Sequence, residues 1–129
     1  MNFILIEDNY DHAEMFRRQV RRLCPVTNIH HFTDGVEALE FAILPDTKFD
    51  LVVVDLQLRI QNGMDIVRKF LEAPRIKQFP IVVLTSSATE RETETSLPIQ
   101  EYLLKPIDED MVSFLMNKYG RAPQTSINP

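Results

Sequence analysis

At 129 residues the chain has the length of one domain with a sizeable core and little room for a second. Hydrophobic residues at 44% and charged residues at 26% exclude a disordered segment and a membrane protein, and a net charge of −5 argues against broad nucleic-acid binding, which needs a basic face. Cys24 is the single cysteine, so an intramolecular disulfide and a cysteine-rich metal site are both excluded.

In chain order, hydrophobic period alternates between strand and helix. Phe3-Ile4-Leu5-Ile6 is a short apolar run, and it opens the chain without the charged and apolar regions of a secretory signal. A cytoplasmic location is the default expectation. Ala13, Phe16, Val20 and Leu23 follow at helical spacing, and Cys24-Pro25 marks that helix's end. Arg17, Arg18, Arg21 and Arg22 recur at i, i+4, which reads as a solvated face or as a surface for a partner. Thr27 to Phe32 is a weaker strand, and Asp34 with Glu37 starts a helix carrying Val36, Leu39 and Ile43, which Pro45 helps to end.

Leu51-Val52-Val53-Val54 is uninterrupted and β-branched, as expected of a central strand covered on both faces. Asn62-Gly63 marks a turn, and Met64, Val67, Phe70 and Leu71 trace a helical stripe before Pro74. Ile81-Val82-Val83-Leu84 repeats the buried-strand pattern and stops at Thr85-Ser86-Ser87. Residues 88 to 97 are mostly threonine and glutamate with almost no apolar stripe, so the fourth helix is expected to be short, loosely packed or partly irregular. Tyr102-Leu103-Leu104 is a fifth strand, Met111, Phe114 and Leu115 mark a last helix, and residues 120–129 form a polar tail expected to be flexible. Five βα units with right-handed crossovers predict an α/β fold: a doubly wound, five-stranded parallel sheet of flavodoxin type, order 2-1-3-4-5.

Open α/β sheets bind ligands beyond the carboxyl ends of their strands, at the point where strand order reverses. In this order strands one and three are neighbours, so Glu7, Asp8 and Asp55 converge there. Three carboxylates that close repel, at least one has a raised pKa, and a divalent cation is the natural remedy. The expected ligands are all oxygens and no His or Cys falls nearby in the pattern, which favours Mg²⁺ over zinc. Lys105, after the fifth strand, brings an ammonium suited to a phosphoryl oxygen, and Thr85 ends the fourth strand with a hydroxyl. Each residue alone has a plainer reading: Glu7-Asp8-Asn9 as a helix cap, Lys105 as a surface residue, Thr85 as a strand end. Asp55 after three valines is harder to dismiss, because an unpaired buried carboxylate is expensive. The specificity lies in the constellation.

From Phe3 to Lys118 the chain resembles the receiver domains of two-component response regulators, particularly single-domain receivers of the chemotaxis-regulator kind. The matching motifs are Ile6-Glu7-Asp8-Asn9, Val54-Asp55-Leu56, Gly63, Thr85 after its strand, and Lys105-Pro106. The resemblance implies a receiver domain over residues 1–119, with Asp55 accepting a phosphoryl group from the phosphohistidine of a sensor kinase. A carboxylate is already ionised at neutral pH and needs only charge neutralisation and in-line positioning. By the same resemblance Asp8, Asp55 and the backbone carbonyl of Gln57 bind Mg²⁺, and Glu7 acts directly or through water. Lys105 and Thr85 contact the transferred group, Tyr102 is the switch aromatic, and Pro106 follows a cis peptide.

Departures from the family pattern are Arg59 where many receivers have proline, Ser86 in place of a smaller residue, and a shortened segment containing Pro98 before Lys105. Arg59 is expected to loosen its loop or to offer a charge to a partner, and Ser86 to narrow access to Asp55. The face of the fourth helix, fifth strand and fifth helix, where many receivers dimerise or signal, is altered, so a homodimer is a candidate assembly only. With no output domain following, output is expected through protein contacts. The candidate partners are a sensor histidine kinase, including one of the phytochrome type, or a histidine phosphotransfer protein, with no nucleic acid and no membrane. Two other classes stand beside this one: a receiver-like adaptor that is never phosphorylated, and an aspartyl-nucleophile phosphohydrolase, which usually carries a second acid where this chain has Gln57. The protein is expected to act on its own phosphorylation only and not as an enzyme on other substrates.

Overall fold

Buried apolar runs become strands because a strand covered on both faces has no solvent side for polar residues. Such runs form β1 (Asn2–Ile6), β3 (Leu51–Asp55) and β4 (Ile81–Thr85), and the less buried β2 (Asn28–Phe32) and β5 (Glu101–Leu104) form the two edges. All pair in parallel, in the order β2-β1-β3-β4-β5. The computed structural model describes residues 1–59, 61–74, 76, 79–86 and 98–119. The expected fourth helix at 88 to 97 and the expected tail at 120–129 lie outside the described residues. The helices among the described residues are α1 (Tyr10–Leu23), α2 (Gly35–Ala42), α3 (Gly63–Glu72) and α4 (Glu109–Tyr119).

Short polar side chains start the first three helices. Asn9, Asp34 and Asn62 accept hydrogen bonds from the backbone N–H of His12, Val36 and Met64, satisfying donors that a helix start leaves orphaned. The acids Glu7 and Asp8 are thereby released from capping duty.

One core lies on each face of the sheet. Ile4, Ile6, Val52, Val54, Ile81 and Val83 pack with α2 and α3, while Phe3, Leu5, Leu51, Val53, Val82 and Leu84 pack with α1 and α4. Each fully buried side chain of this size contributes about 1.5–3 kcal/mol. Ala13, Phe16 and Val20 bury the α1 stripe while Leu23, expected on it, is exposed; Met64, Val67 and Phe70 bury that of α3, and the other two helices differ. On α2 the buried residues are Gly35, Ala38 and Ala42, while Val36 and Ile43 are exposed. Close approach is the reason, since a Cβ at Gly35 would come within 2.4 Å of the Ile66 side chain. On α4 Val112 and Leu115 are buried and Phe114 is exposed, with the Lys118 ammonium 5.5 Å from its ring centre.

Alternation along the strands, carried one step past their ends, assigns the polar residues to faces. Glu7 continues the parity of Phe3 and Leu5, Asp55 that of Leu51 and Val53, and Lys105 that of Leu103, which is the α1/α4 side. Thr85 shares the parity of Ile81 and Val83, which is the α2/α3 side, and Tyr102 pairs with Val83 and packs on that side.

At the start of α3 a Cβ on Gly63 would meet the Asp55 carbonyl oxygen and the Leu56 Cα at 2.6 Å. Both are backbone atoms that cannot swing aside. Gly63→Ala is therefore expected to destabilise the fold by about 1–3 kcal/mol, the usual cost of overpacking, read as a lower urea midpoint.

Candidate functional site

Glu7 stays in the ladder beyond β1, its N–H donating to the Phe32 carbonyl at 2.9 Å. That bond fixes the side chain on the cleft side, where it is 2% exposed. Asp55, the last residue of β3, is equally buried, and its Oδ1 accepts the Gln57 N–H at 2.9 Å. Lys105 extends β5, its N–H donating to the Thr85 carbonyl at 2.8 Å, and the Lys105-Pro106 peptide is cis as expected. The Lys105 ammonium donates to Glu7 Oε1 at 2.8 Å and Asp55 Oδ2 at 3.2 Å, and lies 3.0 Å from His12 Nδ1.

One carboxylate oxygen from each of Glu7, Asp8 and Asp55 lies within 4.8 Å of the other two. Negative charge thus exceeds what Lys105 alone neutralises. Burial, then the Asp55 carboxyl, push the Glu7 pKa from 4.5 up to about 7, with Lys105 pulling the other way. An all-oxygen set with surplus negative charge fits a hard divalent cation, so these three residues could hold Mg²⁺. A cleft of about 620 Å³ opens over the group, lined also by Gln57, Ser86, Lys105 and Pro106.

Thr85 is 1% exposed and does not line the cleft, and neither does Tyr102. Strand parity turns both side chains to the α2/α3 side. The Gln57 side chain crosses between the two faces: its amide donates to Thr85 Oγ1 at 3.0 Å, while its Oε1 accepts the Ser86 N–H at 2.8 Å and the Ser86 hydroxyl at 3.1 Å. Sequence reasoning valued Gln57 for its carbonyl and missed this link.

The expectation that no histidine lies near the acids is overturned by His12, in the first turn of α1. Its spacing of four from Phe16, on the stripe that faces the sheet, is the signal that would have found it. Arg59 donates from its backbone N–H to Asp8 Oδ2 at 2.7 Å and from its Nε at 3.4 Å, while its side chain stays 83% exposed.

The doubly wound sheet thus carries an acid cluster at its switch point, reached by a lysine that follows β5. The family model of the response regulator receiver domain matches residues 3–115, and the chain belongs to that family. It is a receiver domain of two-component signalling, a family of signalling proteins rather than classical enzymes, whose members interact with histidine kinases. The probable methanogenesis regulatory protein FilR2 of Methanothrix harundinacea is 29% identical over 115 residues, covering 84% of this chain and 74% of that protein. The chemotaxis protein CheY1 of Helicobacter pylori (strain 26695) is 27% identical over 109 residues, covering 82% of this chain and 86% of that one. Other relatives are much longer: the chain spans 28% of the cyclic di-GMP phosphodiesterase response regulator RpfG of Xanthomonas campestris.

Among solved structures, the bacteriophytochrome response regulator AtBRR shares the fold with a TM-score of 0.78 at 22% identity, covering 92% of this chain and 91% of that one. The receiver domain of a Pseudomonas aeruginosa sensor histidine kinase, with a magnesium ion in its active site cleft, has a TM-score of 0.78 at 21% identity, covering 92% and 95%. Among the described residues no helix is long and apolar enough to cross a membrane.

Glu7 binds its proton more tightly in the folded chain than in the unfolded one. Between pH 4.5 and about 7 the folded state therefore holds more protons, and its stability falls as pH rises through that window. Thermal unfolding of metal-free protein across the window should show this decline, and Glu7→Gln should flatten it relative to wild type.

Proposed function

We propose that this chain is a phosphoacceptor response regulator: Asp55 takes a phosphoryl group from a histidine and the resulting change of surface is read by a protein partner. The observation that carries this reading is the Lys105 ammonium held between the buried carboxylates of Glu7 and Asp55 at the floor of an open cleft. A phosphoryl donor can approach Asp55 there, next to a fixed positive charge.

In the transfer an Asp55 carboxylate oxygen forms the new bond to phosphorus, the phosphorus–nitrogen bond of the phosphohistidine breaks, and its electron pair leaves on the imidazole. Lys105 meets the added negative charge from beside Asp55, where its ammonium is already placed. When bound, Mg²⁺ supplies the charge neutralisation that three clustered acids and a phosphoryl group require; Asp8, Asp55 and the Gln57 carbonyl would hold it, with Glu7 direct or through water. The magnesium in the Pseudomonas aeruginosa receiver supports that assignment.

The Thr85 hydroxyl accepts the Gln57 amide N–H at 3.0 Å, and its own O–H can donate to a phosphoryl oxygen once the side chain turns toward the cleft. Movement of Thr85 would free space for Tyr102 on the α2/α3 side, converting a charge change at one face into a shape change at the other. On this reading the receiver unit runs over residues 1–119, and the protein works in the cytoplasm. The donor is a sensor histidine kinase or a histidine phosphotransfer protein. The fold shared with a bacteriophytochrome response regulator makes a phytochrome-type kinase the first to test.

Acetyl phosphate with Mg²⁺ should label the protein once, on Asp55, and Asp55→Asn or chelation of the metal should abolish the label. No label from any donor would leave the adaptor reading. Profiling which autophosphorylated histidine kinase loses its label fastest to this protein would identify the donor.

A further inference from the structure

A lysine ammonium has three N–H bonds and no acceptor. At Lys105 all three have partners: Glu7 Oε1 at 2.8 Å, His12 Nδ1 at 3.0 Å and Asp55 Oδ2 at 3.2 Å. Because Lys105 can only donate, His12 Nδ1 must accept, which requires the ring form carrying its proton on Nε2. On the phosphoacceptor reading a phosphoryl oxygen must also receive a Lys105 hydrogen bond, so one partner has to yield.

The three partners are not equally easy to displace. Glu7 and Asp55 are each 2% exposed, and as the phosphoryl group enters, before Asp55 has given up its charge, releasing Lys105 from either would strand a buried carboxylate. The His12 side chain is 48% exposed, and water can replace Lys105 as its partner. It lies at the mouth of the same cleft, on the first turn of α1, with its N–H anchored on Asn9 Oδ1 at 3.0 Å.

We propose that His12 is a place-holder for the phosphoryl group, accepting the third Lys105 hydrogen bond in the unphosphorylated site and yielding it to a phosphoryl oxygen. His12 is thus a positioning residue acting through Lys105. It keeps the ammonium aimed into the cleft and sets a cost on every phosphoryl group that enters.

Beryllofluoride, a phosphoryl mimic, tests this in the full chain with Mg²⁺ present. His12→Leu removes the competing acceptor and should tighten beryllofluoride binding about five-fold, the worth of one ordinary net hydrogen bond. His12→Gln keeps an acceptor and should stay near wild type, and His12→Ala should follow His12→Leu. In wild type with ¹⁵N-labelled histidine, the His12 Nδ1 resonance should move toward that of an imidazole nitrogen freed of its lysine partner when the mimic binds. Unchanged or weaker binding by His12→Leu and His12→Ala, or a stationary Nδ1 resonance, overturns the role given to His12 alone. A wild-type protein that binds no beryllofluoride overturns the phosphoacceptor reading with it.

Discussion

Two carboxylates, Glu7 and Asp55, are almost wholly removed from water, and the ammonium of Lys105 sits between them. Leaving either acid ionised without that partner would carry a desolvation cost of several kcal/mol. Everything that places Lys105 therefore matters to the site: the pairing of β5 with β4 at the sheet edge, and the ladder bond from the Lys105 N–H to the Thr85 carbonyl. The compensation is incomplete: burial and then the neighbouring Asp55 carboxyl raise the Glu7 pKa despite Lys105, and Asp8 adds a third acid to the group. A site with surplus negative charge is poised for a cation and, beside it, for an anionic group that the cation can tolerate.

Strand alternation divides the chemistry from the proposed switch. Glu7, Asp55 and Lys105 take the α1/α4 parity, whereas Thr85 and Tyr102 take the α2/α3 parity with Val83. Gln57 spans the division, bonding Thr85 and Ser86 through the two ends of one amide. A turn of Thr85 toward a phosphoryl oxygen is the step by which an event on one side would be felt on the other. A related economy governs Lys105, whose full complement of partners makes entry of a phosphoryl group a substitution rather than an addition.

Particular elements show why some features were legible and others not. The runs Leu51 to Val54 and Ile81 to Leu84 contain no polar residue, so only a strand buried on both faces accommodates them, and strand order followed from chain alternation. The apolar stripe of α2 misled because Gly35 and Ala38 permit an approach that larger side chains would prevent, which leaves Val36 and Ile43 outside. His12 escaped notice because hydrophobic period marks only apolar members of a helix face, and a polar residue flanking the stripe carries no such mark.

By itself the sequence determined which residue types end the strands, and hence that acids and a lysine gather at the switch point, because both depend on local pattern and connection rules. Only the tertiary structure decided that Lys105 reaches Glu7, Asp55 and His12 together, that Thr85 accepts the Gln57 amide, and that the Arg59 N–H bonds Asp8. The physical reason is distance: these bonds join residues from 28 to 98 positions apart, and their geometry depends on strand register and helix packing that no local pattern encodes.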